Sequence, residues 1–106
     1  MRELVHATST QVLWQTGSDD DRWFVRLWRV PNDANAYSVA IGPGAVPQAF
    51  QLTVVVEDGK PRVDALVRPD TPMGQRSEED CEVLAKDAVM EVIEKGWLRP
   101  MKRPGG

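Results

Sequence analysis

One stretch alone, Ser77 to Gly96, is written as a helix at both ends, and it constrains everything before it. Ser77 is a natural N-cap, and Asp80 stands three residues on, the capping-box spacing at which each side chain satisfies the other's backbone N–H. Glu78, Glu79, Asp80 and Glu82 crowd the first turns, where the positive end of the macrodipole favours carboxylates. Lys95 sits in the last turn, Gly96 can take the left-handed conformation that ends a helix, and Pro100 prevents resumption. At about 100° per residue, Cys81, Leu84, Ala85, Ala88, Val89 and Val92 fall on one stripe. A lone helix cannot bury that stripe by itself. A broad apolar surface must lie beneath it, and the upstream residues have to build it.

Those residues read as strands. Asp58-Gly59 is the preferred pair for a two-residue type I′ turn, which sets the register of the hairpin around it. Glu57 then faces Lys60, Val56 faces Pro61, Val54 faces Val63, Leu52 faces Ala65 and Phe50 faces Val67. The last four pairs are apolar and share one face, a match that a slip of one residue would destroy. Gln51, Thr53, Val55, Arg62, Asp64, Leu66 and Arg68 point the other way. Upstream, Ala36 to Ile41 aligns Tyr37, Val39 and Ile41. Arg22 to Val30 turns Trp23, Val25 and Leu27 to one side and Arg22, Phe24, Arg26 and Trp28 to the other. Thr10 to Gln15 suits a short edge strand, and the first nine residues show no period, as frayed chain or a short helix would. The expected fold is α+β, an antiparallel meander of four to five strands with one C-terminal helix packed across one face. Residues 1–98 form a single domain in this reading, and 99–106 a flexible basic tail.

Composition narrows the class of protein. No run in the 106 residues approaches the ~18 apolar residues of a membrane span, and the start, Met-Arg-Glu-Leu-Val-His, lacks the apolar core of a signal peptide. Cytoplasmic residence and no membrane partner are the expectation. The single cysteine, Cys81, lies on the helix stripe and reads as a small buried apolar side chain. The net charge of −3 is uneven: residues 1–76 carry eight basic and nine acidic side chains (−1), residues 77–95 two and seven (−5), and the tail three basic ones (+3). An acidic helix beside a short basic tail is not a general nucleic-acid footprint.

Catalysis is not expected. With His6 the only histidine and Cys81 the only cysteine, neither a nucleophilic triad nor a zinc set can be assembled, and no cofactor is implied. The helix carboxylates are accounted for by capping, the dipole and the spaced pairs Glu82–Lys86 and Glu91–Lys95. Asp19-Asp20-Asp21 lacks the alternate spacing, glycine and distal glutamate of a calcium loop. Gly42 to Pro47 lacks the Lys-Ser/Thr ending of a phosphate loop.

Binding is the remaining reading. Arg22, Phe24, Arg26 and Trp28 share a sheet face that also holds Val55 and Leu66, too much apolar surface for an ordinary wet face. Aromatic residues and arginine are enriched at the centres of protein interfaces, so a protein partner is favoured, with an inhibitor, adaptor or immunity-type role. A homodimer through the same face would equally account for the aromatics. On the helix, Val83 and Met90 lie nearly opposite the core stripe, with Trp97 on their extrapolated line, as a second contact. The alternative is single-stranded nucleic acid, with bases stacked on Phe24 and Trp28 and phosphates met by the arginines, extended by Arg62 and Arg68. The order of strands followed by a helix is similar, in topology alone, to that of Whirly and PUR-type single-strand binders. The closing Gly105-Gly106 resembles the tail of ubiquitin-like modifiers, whose folds end on a strand where this chain ends on a helix.

Overall fold

The computed structural model describes residues 2–17, 22–43, 50–68 and 77–98. The aspartate turn at 19–21, most of the glycine-rich stretch at 44–47, the connector at 69–76 and the tail with its diglycine lie outside them. Six strands, β1 (Glu3–Ala7), β2 (Val12–Thr16), β3 (Trp23–Arg29), β4 (Ala36–Gly42), β5 (Phe50–Glu57) and β6 (Lys60–Val67), run in sequence order through one antiparallel sheet. A single helix, α1 (Glu78–Lys95), follows and lies across β3 to β6. The α+β meander with its C-terminal helix is therefore the fold, with six strands where the sequence led us to expect four or five.

The added strand is β1, where frayed chain or helix was expected. All five of its residues are exposed, and a bulge between Leu4 and His6 breaks the alternation, so no burial period exists to be read. Its presence makes β2 an interior strand instead of an edge. Val12 and Trp14 of β2 turn to the helix side and Leu13 to the other.

The β5–β6 hairpin turns as its sequence demands. Asp58 (φ 53°) and Gly59 (φ 76°) are both left-handed, as a type I′ turn requires. Near the turn the expected pairs form: Glu57 with Lys60, Val56 with Pro61 and Val54 with Val63. Beyond them the register shifts, so that Leu52 faces Leu66 where Ala65 was expected, and Val67 faces Gln51 where Phe50 was expected. Asp64 is the extra residue of this bulge. The shift turns the larger Leu66 onto the core and sends Val67 outward, 59% exposed. Leu66 is thereby removed from the outer face. Pro61 and the charged side chains of Lys60, Arg62 and Asp64 discourage further pairing at this edge.

The core lies between sheet and helix. Trp23, Val25 and Leu27 of β3, Tyr37, Val39 and Ile41 of β4 and Phe50, Leu52 and Val54 of β5 meet Cys81, Ala85, Ala88, Val89 and Val92 of α1. Small alanines on the helix stripe let the backbone come close to the large side chains below. The helix is capped at both ends: the Asp80 N–H donates to Ser77 Oγ at 3.2 Å, one half of the expected capping box without the return bond from the Ser77 N–H to the Asp80 carboxylate, and Gly96 at φ 72° closes a Schellman motif, with Gly96 N–H donating to Ile93 O and Trp97 N–H to Val92 O. That left-handed turn redirects the chain. Trp97 does not continue the line of Val83 and Met90; its ring packs on Trp14 instead, with centroids 6.3 Å apart. Leu98 is buried, and its carbonyl accepts a hydrogen bond from Arg29, whose guanidinium also lies over the Tyr37 ring. Glu91 takes a different partner from the expected Lys95: it accepts from Trp14 Nε1 at 2.7 Å and pairs with Arg2 at 3.0 Å, tying the start of the chain to the helix. Among the described residues Glu82 and Lys86 form no ion pair either.

Candidate binding face

The sheet face turned away from α1 is assembled from alternate residues of each strand. Phe24, Arg26 and Trp28 of β3 stand at its centre, all half-buried. Arg26 faces Leu13 of β2 on one side and Ala40 of β4 on the other; Phe24 faces Gln15 and Gly42, and Trp28 faces Ser38. Leu13 (9%) and Ala40 (8%) are buried, yet neither belongs to the core beneath the helix. They form the floor of a separate apolar cluster that no described strand or helix lies over. Val55 and Thr53 of β5 carry the same face onward, and Val67 lies at its far edge.

Polar groups fix part of this cluster and leave one group open. Trp28 Nε1 donates to Gln11 Oε1 at 3.1 Å, and the Gln11 amide nitrogen lies 3.4 Å from His6 Nε2, so β1, β2 and β3 are linked across the face. Arg26 makes no ion pair or hydrogen bond among the described residues, whereas Arg2, Arg29, Arg62 and Arg68 each have a carboxylate or carbonyl partner. A guanidinium without a counterion among the described residues, on a half-buried position of the strand between Phe24 and Trp28, is suited to receive an anionic group.

The expected arginine patch is smaller than the sequence implied. Arg22 precedes β3 and is exposed. Arg62 does face outward, but on β6, three strand spacings or roughly 14 Å from β3. It is also engaged: hydrogen bonds to Glu57 and Asp64, both 2.9 Å, raise its pKa above the ordinary arginine value. Arg68 pairs with Glu78 at the start of α1. Alternation assigned the face of Arg62 correctly, but the bulge at Asp64 turns Arg68, like Leu66, away from the outer face and toward the helix.

Val83 and Met90 lie on the outer side of α1, on the opposite side of the molecule from Phe24 and Trp28, so the sequence had singled out two separate surfaces. Val83 is 54% exposed and Met90 half-buried, and Asp87 and Glu94 beside them are exposed. Sequence reasoning missed Ile93, 42% exposed on the same helix, and Leu13, Ala40 and Gln11 on the sheet. Leu13 could have been found, because it alternates against Val12 and Trp14.

Among the described residues no group of three or more His, Cys, Asp or Glu side chains is placed to hold a metal ion, and no helix is long and apolar enough to cross a membrane. No family model matches the chain, and no curated protein or solved structure matches it either.

Proposed function

We propose that this chain is a small cytoplasmic, non-catalytic binding protein of the inhibitor, adaptor or immunity type, acting through protein–protein contacts at the outer face of its sheet. One observation carries the reading: a sheet face that no described strand or helix covers, whose centre sets Arg26, without a side-chain partner among the described residues, between half-buried Phe24 and Trp28 over an apolar floor. Two rigid aromatics and an arginine in a partly desolvated setting are the composition of an interface hot spot. Val83 and Met90, rimmed by acidic residues, are the second contact, suited to a surface of basic character.

The test is quantitative affinity capture with wild type, Phe24→Glu and Val83→Glu as baits, each checked for native circular dichroism. A stoichiometric partner retained by wild type and lost with Phe24→Glu is the expected result. Equal capture by a folded Phe24→Glu would remove the outer face from the account.

The same triplet favours a second reading, single-stranded nucleic acid, in which bases stack on Phe24 and Trp28 while Arg26 meets a phosphate. It ranks lower because the carboxylates on Arg62 and Arg68 shrink the basic patch. Saturable quenching of tryptophan emission by a short oligonucleotide at low salt, steeply weakened at ~0.2 M, would move it to first place.

A further inference from the structure

We propose that the outer sheet face receives helix α1 of a second copy of this chain, so that copies associate head to tail. The inference rests on the binding role proposed above and names the partner.

Arg26 sets the requirement for any occupant. Whatever covers Phe24 and Trp28 also covers this guanidinium, and burying it without a counterion is strongly unfavourable. Stacking two outer faces symmetrically does not supply one. Among the described residues, Glu57 and Asp64 on that face already pair with Arg62, and Glu3 stands on the edge strand β1, two strands from Arg26 and bonded to the Gln15 amide at 3.3 Å. The occupant must bring its own carboxylate alongside apolar surface.

The outer side of α1 brings both. Val83, Asp87, Met90 and Glu94 follow one another at spacings of four, three and four residues, so they form one ridge along the helix. Asp87 and Glu94 are exposed and make no ion pair among the described residues. Residues 77–95 carry a net charge of −5, seven acidic side chains against two basic. An acidic ridge with an apolar crest is the complement of an unpaired arginine between two aromatic rings.

Shape agrees with charge. The outward residues of β4 are small, Ser38, Ala40 and Gly42, while those of β3 on one flank are Phe24, Arg26 and Trp28. The bulk of this face therefore stands on β3, where Phe24 and Trp28 offer apolar contacts to a ridge laid beside them. The sheet already carries α1 on its other face, so the occupant completes a helix–sheet–helix layering. Because the two contacting surfaces differ, the contact is heterologous and generates a ring or an open chain.

Sedimentation velocity over a rising protein concentration tests this, at low salt and at about 0.5 M, where screening weakens exposed charge pairs. The expected result is a mass that grows beyond one chain at low salt and falls back at high salt. Phe24→Glu blocks the sheet face and Val83→Glu the helix ridge, so each alone is expected to stay monomeric. Mixed in equal amounts, they should form a dimer that stops at two chains, since one intact sheet face remains to meet one intact ridge. Arg26→Ala replaces Phe24→Glu should the latter lose its native circular dichroism. A wild type that stays monomeric throughout overturns the inference, and so does a dimer insensitive to Val83→Glu. A monomeric wild type removes self-pairing alone; the broader binding role falls only when folded Phe24→Glu captures partners as wild type does.

Discussion

The two faces of β3 are made by consecutive residues of one strand and have opposite fates. Trp23, Val25 and Leu27 disappear beneath α1, while Phe24, Arg26 and Trp28, interleaved with them, remain half-buried on a face that no described strand or helix covers. Both sets are rich in large apolar side chains, so hydrophobicity does not separate them. What separates them is what their polar groups meet: on the covered side the Arg29 guanidinium donates to the Leu98 and Ala34 carbonyls and lies over the Tyr37 ring, whereas on the open side Trp28 is fixed by Gln11 and the Arg26 side chain has no partner among the described residues. A strand can therefore divide stability and recognition between its faces, provided that the recognition face keeps enough polarity to stay wet when alone.

The contrast is broken most directly from the covered side. Leu27→Ala removes a fully buried side chain at the sheet–helix interface and should cost about 2–5 kcal/mol in urea denaturation. Its neighbour's variant, Arg26→Ala, should stay within about 0.5 kcal/mol, the usual range for surface changes. Similar losses for the two would mean that the faces do not differ as described.

Glu91→Gln probes the corner where β1 and β2 join the helix. The amide can still accept from Trp14 Nε1, but Arg2 loses its carboxylate, at a cost of about 1–2 kcal/mol. Backbone amide exchange should accelerate chiefly in β1. Trp28→Phe deletes the indole bond to Gln11 while keeping an aromatic ring, and about 0.5–1 kcal/mol is expected. Its more informative effect is increased mobility of the Gln11 side chain, visible by NMR, with the core resonances unmoved.

The smallest effect concerns pH. The hydrogen bond from Arg68 holds the Glu78 carboxyl below its ordinary pKa. A carboxyl with a depressed folded-state pKa stabilises the protein above its unfolded value, and that contribution fades as pH falls through the folded one. Both groups are largely exposed, so the change should be confined to faster amide exchange in the first turn of α1 in acid. Glu78→Gln should abolish the pH dependence. A contribution that instead grew on acidification would have the wrong sign for this pair.

Much of this fold is legible because its signals are local. Ser77 and Gly96 cap the helix through bonds to residues within five positions, and Asp58-Gly59 bends the hairpin by its own backbone preference. The failures begin where distant partners decide. The bulge at Asp64 exists because the core accepts Leu66 in preference to Ala65, a choice the turn cannot encode. β1 is held by pairing to β2 and by the Arg2–Glu91 link, and its exposed, bulged residues have no period. Trp97 departs from the helix line because Gly96 ends the helix one residue earlier, so extrapolated phase loses meaning there. For the binding face, alternation identified Phe24, Arg26 and Trp28. The separation of Arg62 follows from the meander order, three strands from β3, and its two carboxylates, Glu57 and Asp64, come from its own hairpin.

Phe24 serves a surface and Leu27 a core, and the unfolding free energy of Phe24→Glu separates the two. Urea denaturation should show a cooperative transition with a loss of no more than about 1 kcal/mol, because the carboxylate projects from an uncovered face beside Arg26. A loss of about 3 kcal/mol or more, comparable to Leu27→Ala, would place Phe24 inside a core and contradict the reading of this face as a binding surface.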